Sequence, residues 1–173
     1  TIWNENRSTD RISFRARVDY RRGLSKQLPA ANLRVVYNKS GKYLASAIVK
    51  EPRAVIGQQL YWGAVASLEE GRFITAVLNS TTITMAIRPM QPRGENSPRD
   101  FGKLPFRLPI PIFDAENSQH TSLVRLSERA EQVAERVSLP ERPFESQRSY
   151  IRDKLAREGV SADIDAIVKT IFS

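Results

Sequence analysis

Apolar and polar residues alternate over short stretches in the first third of the chain, which is the period expected for β-strands. In residues 12–19, Ile, Phe, Ala and Val alternate with Ser, Arg and Asp. This pattern predicts a half-buried strand with a basic outer face. Residues 55–66 form a further run of residues that favour sheets, and we expect it to be extended as well.

Two apolar segments, residues 33–37 and 43–49, flank the turn-rich tetrad Asn-Lys-Ser-Gly at residues 38–41. Such a tetrad between two extended runs predicts a β-hairpin. Its tip carries Lys39 and Lys42, so we expect the hairpin to present positive charge at one end.

The period changes at Ser67, which is followed by two glutamates and then by apolar residues at helical spacing. A serine before an acidic first turn is a helix-start signal. The pattern predicts one helix that is broken at residues 79–80 and a second, shorter helix that ends at Pro89.

Three amphipathic helices are predicted in the last third of the chain. Pro140 and Pro143 end the first, Gly159 ends the second, and Ser161 is expected to cap the third. They are charge-balanced, which is typical of a small bundle or a docking arm.

Together these elements predict an α+β fold. We expect a twisted, mostly antiparallel sheet with short packed helices, followed by a C-terminal helical segment of about three helices. The predicted division is a basic domain over residues 1–113 and the helical segment over residues 114–173.

A basic, proline-rich segment at residues 90–114 separates these parts. Proline removes backbone donors and fixes φ, so the segment is a poor helix and a poor central strand. We expect residues 90–103 to form an exposed loop, mobile at residues 94–97. Residues 104–113 are expected to form a structural strap that leads into the helices, and its run LPIPIF at residues 108–113 is expected to pack in extended form between the sheet and the helices.

The charge of the chain is uneven. The 173 residues include 27 Lys and Arg against 19 Asp and Glu, for a net charge of +8. The ratio is 12 to 4 in residues 1–66, 6 to 4 in residues 67–113 and 9 to 11 in residues 114–173. A basic surface confined to one part predicts a polyanion, such as nucleic acid, as the partner. The alternative is a basic protein whose charge serves only its solubility.

Composition excludes several classes of site. The chain has no cysteine and one histidine, which excludes disulfides and thiolate metal sites and leaves little room for zinc or Ser-His catalysis. No apolar run approaches the roughly 18 residues of a membrane span, so we expect a cytoplasmic protein without a membrane partner. The chain begins at Thr1 without targeting character, and we interpret it as a piece of a longer protein.

Motifs for catalysis are missing. The sequence contains no P-loop, no glycine-rich dinucleotide motif and no nucleophile elbow. Asp163 and Asp165 are expected to interact with a helix dipole rather than to transfer protons, and Asp100 with Lys103 lacks the further acidic ligands of a nuclease. His120 is expected to be an ordinary polar residue at a helix start. We predict no enzymatic activity, no metal and no cofactor for this chain alone.

The order of segments in the middle of the chain follows a known pattern. Residues 73–80 read FITAVLNS, a short helix follows, and two glycines precede the segment LPIP at residues 108–111. Together with the aromatic pair Tyr61-Trp62, this order resembles the C-terminal target recognition region of adenine-specific DNA methyltransferases. It also resembles the specificity subunits of type I restriction systems and the type IIG restriction-modification enzymes. The resemblance extends from about Leu33 onward and is sharpest over residues 73–114.

This resemblance implies sequence-specific recognition of double-stranded DNA on behalf of a larger enzyme. In that family, an upstream catalytic domain with an N/D-P-P-Y/F motif binds S-adenosylmethionine and methylates the target, and some members also cleave DNA. The cofactor is therefore expected in the parent protein, and the partners are DNA and the upstream domain or a partner subunit. The run RDFGK at residues 99–103 is more basic than the turn that many relatives have there.

Eight residues are candidates for contacts with DNA. Cations suit phosphates, whereas planar hydrogen-bonding groups suit base edges. The predicted phosphate contacts are Lys39, Lys42, Arg53 and Lys103, and the candidates for base edges are Arg88, Gln91, Arg93 and Arg99. Four aromatic residues could stack on bases but are more often core residues in a domain of this size; they are Tyr61, Trp62, Phe73 and Phe106.

Two other functions are open alternatives. The C-terminal amphipathic helices could dock a partner subunit, and that function predicts exposed apolar stripes on the last two helices. An RNA-binding domain is the other alternative, although the sequence lacks the aromatic pattern of the best-known RNA-binding sheet.

Overall fold

The centre of the molecule is a three-stranded antiparallel sheet. The computed structural model describes residues 5, 12–92, 99–139, 141 and 143–172. The strands are β1 (Arg34–Asn38), β2 (Ser46–Val49) and β3 (Leu60–Ala64), and β1 lies between the other two.

The predicted hairpin is confirmed, since β1 and β2 pair along their length on either side of residues 38–41. The run at residues 55–66 is only partly a strand. A turn in which the Leu60 amide donates to the Gly57 carbonyl at 3.1 Å precedes β3, so the strand is shorter than the pattern predicts.

The helix α2 (Leu68–Asn79) packs on the sheet and is capped by Ser67, as predicted. Gly71 is buried where the helix meets the strands. A β-carbon at this position would lie 3.3 Å from Val65 and 3.4 Å from Ile48. Glycine therefore lets the helix approach the sheet closely.

The short helix α3 (Thr81–Ile87) follows α2 directly, and the Ser80 hydroxyl caps it. A second cap comes from far along the chain, because the Thr81 amide donates to the Asp165 carboxylate at 2.7 Å. The helix gives way to a 3-10 turn at Arg88–Met90, near the proline that was predicted to end it.

Three helices form the C-terminal part, as predicted: α4 (Ser118–Glu135), α5 (Phe144–Arg157) and α6 (Val160–Ile171). Gly159 separates the last two, with a φ of 77°. Such a left-handed glycine reverses the chain at little cost. Ser161 therefore lies inside α6, and the prediction that it caps this helix was wrong.

The α+β fold class is confirmed, and a single hydrophobic core joins its parts. Side chains of the sheet, α2, α3 and the C-terminal helices contribute to this core. Its buried members are Val35, Tyr37, Leu44, Phe73, Ala76, Val77, Leu78, Ile83, Ile87, Phe101, Leu123, Val160, Ile164 and Val168. The predicted division of the chain between residues 113 and 114 stays a prediction. Residues on both sides of this boundary contribute to the same core.

The most extensive helix contact is between α2 and α4, and we call it the helix joint. At its edge, the Arg72 guanidinium lies 2.9 Å from the Glu128 carboxylate and 3.2 Å from the Glu131 carboxylate. Burial acts to lower the pKa of Arg72, but these two carboxylates outweigh it and raise the pKa above its ordinary value. Arg72 is thus a paired cation that links two helices.

Phe73 is the central side chain of the helix joint and is fully buried. Its ring centroid lies 5.6 Å from that of Phe113 and 4.5 Å from that of His120. His120 lies at the start of α4, as predicted, but it is a buried core residue, and its Nδ1 accepts a hydrogen bond from the Asp114 amide at 3.1 Å. The strap at residues 104–113 packs against the core through Phe113 and its neighbours. Its last six residues are neither helix nor strand, whereas Leu104–Arg107 forms a 3-10 helix.

The first part of the chain differs from the prediction. Residues 12–19 were predicted to form a strand, but they contain the helix α1 (Phe14–Val18). The Ser13 hydroxyl accepts a hydrogen bond from the Ala16 amide at 3.2 Å and so caps the helix. Phe14 is 59% exposed, so no buried face enforces the strand register that the alternation suggested.

Candidate nucleic-acid interface

The tip of the β1–β2 hairpin is shaped by the side chain of Asn38. Its amide nitrogen donates to the carbonyls of Ser40 at 2.8 Å and Tyr43 at 3.1 Å, and its oxygen accepts from the Ala45 amide at 2.7 Å. Gly41 adopts a φ of 147°, and a β-carbon there would lie 3.0 Å from the Asn38 amide. The tip is therefore a fixed turn rather than an open loop.

Residues 99–103 are fastened onto this tip by backbone hydrogen bonds. The Gly41 amide donates to the Arg99 carbonyl at 3.0 Å, and the Phe101 amide donates to the Lys39 carbonyl at 2.8 Å. Phe101 is fully buried and anchors the segment in the core. Two basic segments that are about sixty positions apart in the sequence thus form one surface.

Tyr37 holds the other end of this segment, since its hydroxyl donates to the Gly102 carbonyl at 2.9 Å. Burial raises the pKa of the Tyr37 phenol well above its usual range, and the neighbouring Tyr61 adds to the effect. The phenol therefore stays protonated and keeps donating at any physiological pH. Asp100 stabilises the same turn, because its carboxylate accepts from the Gly102 amide at 2.8 Å.

The structure brings most of the predicted DNA contacts together. Lys39 and Lys42 lie on the hairpin tip. Arg99 and Lys103 are the first and last residues of the segment that is hydrogen-bonded to this tip. Arg88 lies next to the tip, where its guanidinium is 3.5 Å from the Lys42 carbonyl. We call these five residues the tip surface.

Three other candidates lie apart from the tip surface. Arg53 follows β2 at the opposite end of the sheet and contacts the Glu51 carboxylate at 3.3 Å. The side chain of Gln91 is partly buried, and its Nε2 has no hydrogen-bond partner among the described residues. Arg93, together with the predicted mobile stretch at residues 94–97, lies outside the described residues.

The cations of the tip surface differ from other basic residues in what surrounds them. Among the described residues, none of the five cations of the tip surface forms an ion pair within 4.0 Å. The cations that do form such pairs lie elsewhere in the molecule. Lys42, Arg88, Arg99 and Lys103 are exposed, and Lys39 is half-buried. Among the described residues, these positive charges therefore have no carboxylate within 4.0 Å, and the nearby Asp100 carboxylate accepts a hydrogen bond from the Gly102 amide.

A helix that the sequence did not single out also reaches this surface. Arg152 of α5 places its guanidinium carbon 4.8 Å from the centroid of the Tyr43 ring. The same ring has Lys42 Nζ at 5.5 Å and the Arg88 guanidinium carbon at 6.0 Å. The amphipathic pattern predicted that α5 is a helix. Nothing in the sequence indicated that this helix would contact the hairpin tip.

The four aromatic candidates divide into core and surface residues. Phe73 is fully buried and Tyr61 is partly buried, with its ring stacked on that of Tyr37 at 5.4 Å. Phe106 is 69% exposed and Trp62 is 38% exposed. The expectation that aromatic residues lie in the core holds for the first pair, whereas Phe106 is exposed and has its ring edge-on to that of Tyr37, with the centroids 6.0 Å apart.

A shallow recess of about 410 Å³ lies beside the hairpin tip. Val36, Ala47 and Leu60 contribute its apolar lining, and Asn38 and Arg148 contribute polar groups. Among the described residues, no three side chains of the types that bind metals lie close enough to share an ion. The chemistry of the region is that of a cationic surface with an apolar recess at its edge.

Comparison of the chain with protein-family models, curated proteins and solved structures found no match. None of the described helices is both long enough and apolar enough to cross a membrane. The function is therefore inferred from the site itself and from the order of segments in the sequence.

Proposed function

We propose that the chain recognises double-stranded DNA through the tip surface, as the target recognition part of a larger DNA adenine methyltransferase or restriction-modification enzyme. One observation carries the proposal. The five cations of the tip surface converge on one end of the sheet, and within the described residues no carboxylate lies within 4.0 Å of any of them. The order of segments resembles that of target recognition regions, and this resemblance supports the part of the proposal that concerns the larger enzyme.

Convergence of like charges favours an anionic partner. Each cation repels its neighbours, and the cost falls when phosphates replace water and counterions between them. A cation that is meant only for solubility has no need of a neighbour of the same sign. The arrangement on the tip surface therefore fits a polyanion better than general solubility.

The fastening of residues 99–103 also fits a recognition role. Base contacts need side chains that are held in a defined position, since hydrogen bonds to base edges depend on geometry. Backbone bonds to Gly41 and Lys39 fix the position of Arg99 and its neighbours. Arg99 is assigned to base edges and Lys103 to phosphates in this proposal.

Fluorescence anisotropy with a labelled DNA duplex tests the proposal. We expect binding whose affinity falls steeply between about 50 and about 200 mM salt. The double variant Lys39→Gln/Lys103→Gln should reduce the salt slope by about 2, one unit for each lost phosphate contact. Binding that is absent, or that does not respond to salt, would contradict the proposal.

A matched control removes the same charge elsewhere. Arg125 on α4 and Arg136 at the C-terminal cap of this helix are exposed, and among the described residues the Arg125 side chain has a hydrogen bond only to Ser122. The variant Arg125→Gln/Arg136→Gln should leave the salt slope close to that of the original chain. An equal loss in both double variants would show attraction by net charge instead of a defined surface.

Competition with single-stranded DNA and RNA separates the proposed partner from the alternatives. We expect duplex DNA to compete best, and preferential competition by RNA would favour the RNA-binding alternative. In the parent enzyme, Arg99→Gln should change the preferred target sequence, because a base contact is lost rather than affinity alone.

The docking alternative has less support from the surface of the last helix. Val160, Ile164 and Val168 of α6 are buried in the common core, so the apolar stripe of this helix is already occupied. A partner subunit would need another face of the molecule. This alternative stays a prediction, and a complex that survives high salt would favour it.

A further inference from the structure

Three cations from three different elements surround one aromatic ring. Lys42 comes from the hairpin tip, Arg88 from the turn after α3 and Arg152 from α5. Their charged groups lie 5.5, 6.0 and 4.8 Å from the centroid of the Tyr43 ring. Any two of the charges are therefore separated by at most twice the largest of these distances.

The ring attracts each cation but cannot neutralise them. A cation beside an aromatic ring near the surface gains on the order of 0.5–1 kcal/mol, which favours the side-chain conformations that place the charge near the ring. The three charges remain, and among the described residues no carboxylate lies within 4.0 Å of Lys42, Arg88 or Arg152. The cluster is thus held together by Tyr43 and open to an anion.

The charge and the donor groups of the cluster suit a phosphate group. A phosphate presents several acceptor oxygens, and guanidinium and ammonium groups that approach from different sides can bind them together. Lys42 and Arg88 are exposed and Arg152 is half-buried, so an anion can reach the cluster from solvent. Arg88 is further steadied by the Lys42 carbonyl, at 3.5 Å from its guanidinium.

We infer that Tyr43 organises Lys42, Arg88 and Arg152 into a binding site for one backbone phosphate of the DNA, so that the C-terminal helix α5 takes part in binding. The inference rests on the proposed function and extends it, since no residue after Lys103 was assigned a DNA contact. Tyr43 is a positioning residue here, and the three cations make the contacts. Lys42 and Arg88 belong to the tip surface, and Arg152 completes the site from the other part of the chain.

A charge-neutral substitution tests the role of the ring. Tyr43→Leu leaves the net charge unchanged but removes the π face that holds the cations. We expect it to weaken binding of a DNA duplex about three- to tenfold. Tyr43→Phe keeps the face and should bind within about twofold of the original chain. Equal binding by Tyr43→Leu and the original chain would overturn the positioning role.

Arg152→Gln tests the contact from α5 directly and does not depend on how Tyr43→Leu folds. We expect its salt slope to fall by about 1, whereas Arg125→Gln, which removes the same charge from α4, should leave the slope unchanged. Thermal unfolding of each variant shows whether it is folded at the temperature of the binding measurement. A salt slope for Arg152→Gln equal to that of the original chain would overturn the inference.

Titration with inorganic phosphate separates failure of this inference from failure of the proposed function. The side-chain Nε–H signals of Arg88 and Arg152 in a nitrogen-labelled sample should shift together on addition of duplex DNA, and more weakly with phosphate. Steep salt-dependent DNA binding without these shifts would overturn the inference and leave the proposed function standing. Shifts with phosphate but no DNA binding would overturn both, because the cluster would then be a site for the free anion only.

Discussion

Two regions of the molecule use arginine in opposite ways. In the helix joint, Arg72 contacts the carboxylates of Glu128 and Glu131 at 2.9 and 3.2 Å, and its side chain is only 15% exposed. Beside the hairpin tip, Arg88 and Arg152 both lie near the Tyr43 ring, and among the described residues neither has a carboxylate within 4.0 Å.

The difference shows how the role of a cation can be inferred from its neighbours. A paired and mostly buried arginine connects two helices, and losing it leaves carboxylates without their partner. A cation beside an aromatic ring keeps its full charge, which remains available to an anion in solution. Net charge alone does not distinguish the two, because both kinds contribute equally to the excess of +8.

The largest expected effect lies at the centre of the helix joint. Phe73→Ala removes a fully buried ring that packs on Phe113 and His120, and we expect it to lower the free energy of unfolding by about 3–5 kcal/mol. Urea unfolding measures this loss. A loss below about 1 kcal/mol would mean that the joint repacks easily and is not the rigid part of the molecule.

The second prediction compares the two kinds of arginine directly. Arg72→Met keeps an apolar stem but removes the charge between two carboxylates, so we expect a loss of about 1–2 kcal/mol in the free energy of unfolding. Arg88→Met/Arg152→Met loses two contacts with the Tyr43 ring but also relieves the repulsion among like charges, so it should change the free energy of unfolding by less than about 0.5 kcal/mol. Urea unfolding measures the change in free energy for both variants. Equal losses in the two variants would contradict the distinction between a paired and an unpaired arginine.

The third prediction concerns the fastening of the tip surface. Tyr37→Phe removes the hydrogen bond to Gly102 and should cost about 1 kcal/mol at neutral pH. Because burial raises the pKa of Tyr37, the folded chain keeps this phenol protonated where the unfolded chain begins to lose its proton. The original chain should therefore lose stability as the pH rises above about 10, and Tyr37→Phe should lose less. Urea unfolding across that range measures the difference, which vanishes if the phenol is not buried in solution.

The smallest expected effect lies at the start of α2. Hydrogen bonds from the Glu69 amide and the Ser67 hydroxyl hold the pKa of the Glu69 carboxyl below its usual range. Its contribution to stability is therefore present above the pKa of the unfolded chain and is lost as the pH falls through the lower, folded value. Glu69→Gln should flatten the fall of the unfolding midpoint temperature below about pH 5. An unchanged acid profile would show that this carboxylate does not stabilise the helix.

Much of the fold could be predicted because its elements are specified locally. Ser67 with the glutamates after it fixes the start of α2, and the tetrad at residues 38–41 fixes the hairpin. The prediction of a strand at residues 12–19 was wrong, and the reason is again a local signal. A local cap from Ser13 supports a helix there, and no partner strand covers the alternating apolar residues.

The candidate site could be predicted only in part. Lys39, Lys42 and Arg99 were found from charge and turn residues, but the hydrogen bonds that join their segments run between backbone atoms and leave no mark on side-chain identity. Arg152 escaped detection because its approach to Tyr43 depends on how α5 packs. Single-sequence patterns describe elements well and their mutual arrangement poorly.

The cap that Asp165 provides for α3 has a consequence for the order of folding. Its carboxylate accepts a hydrogen bond from the Thr81 amide across a separation of 84 positions, and because long loops are costly to close, we expect this bond to form late in folding. Arg88 follows directly after α3, and Arg152 lies on the helix just before the one that carries Asp165. In a chain that lacks α6, the helix α3 would lose this second cap, so we expect the turn that carries Arg88 to be held less firmly beside the hairpin tip.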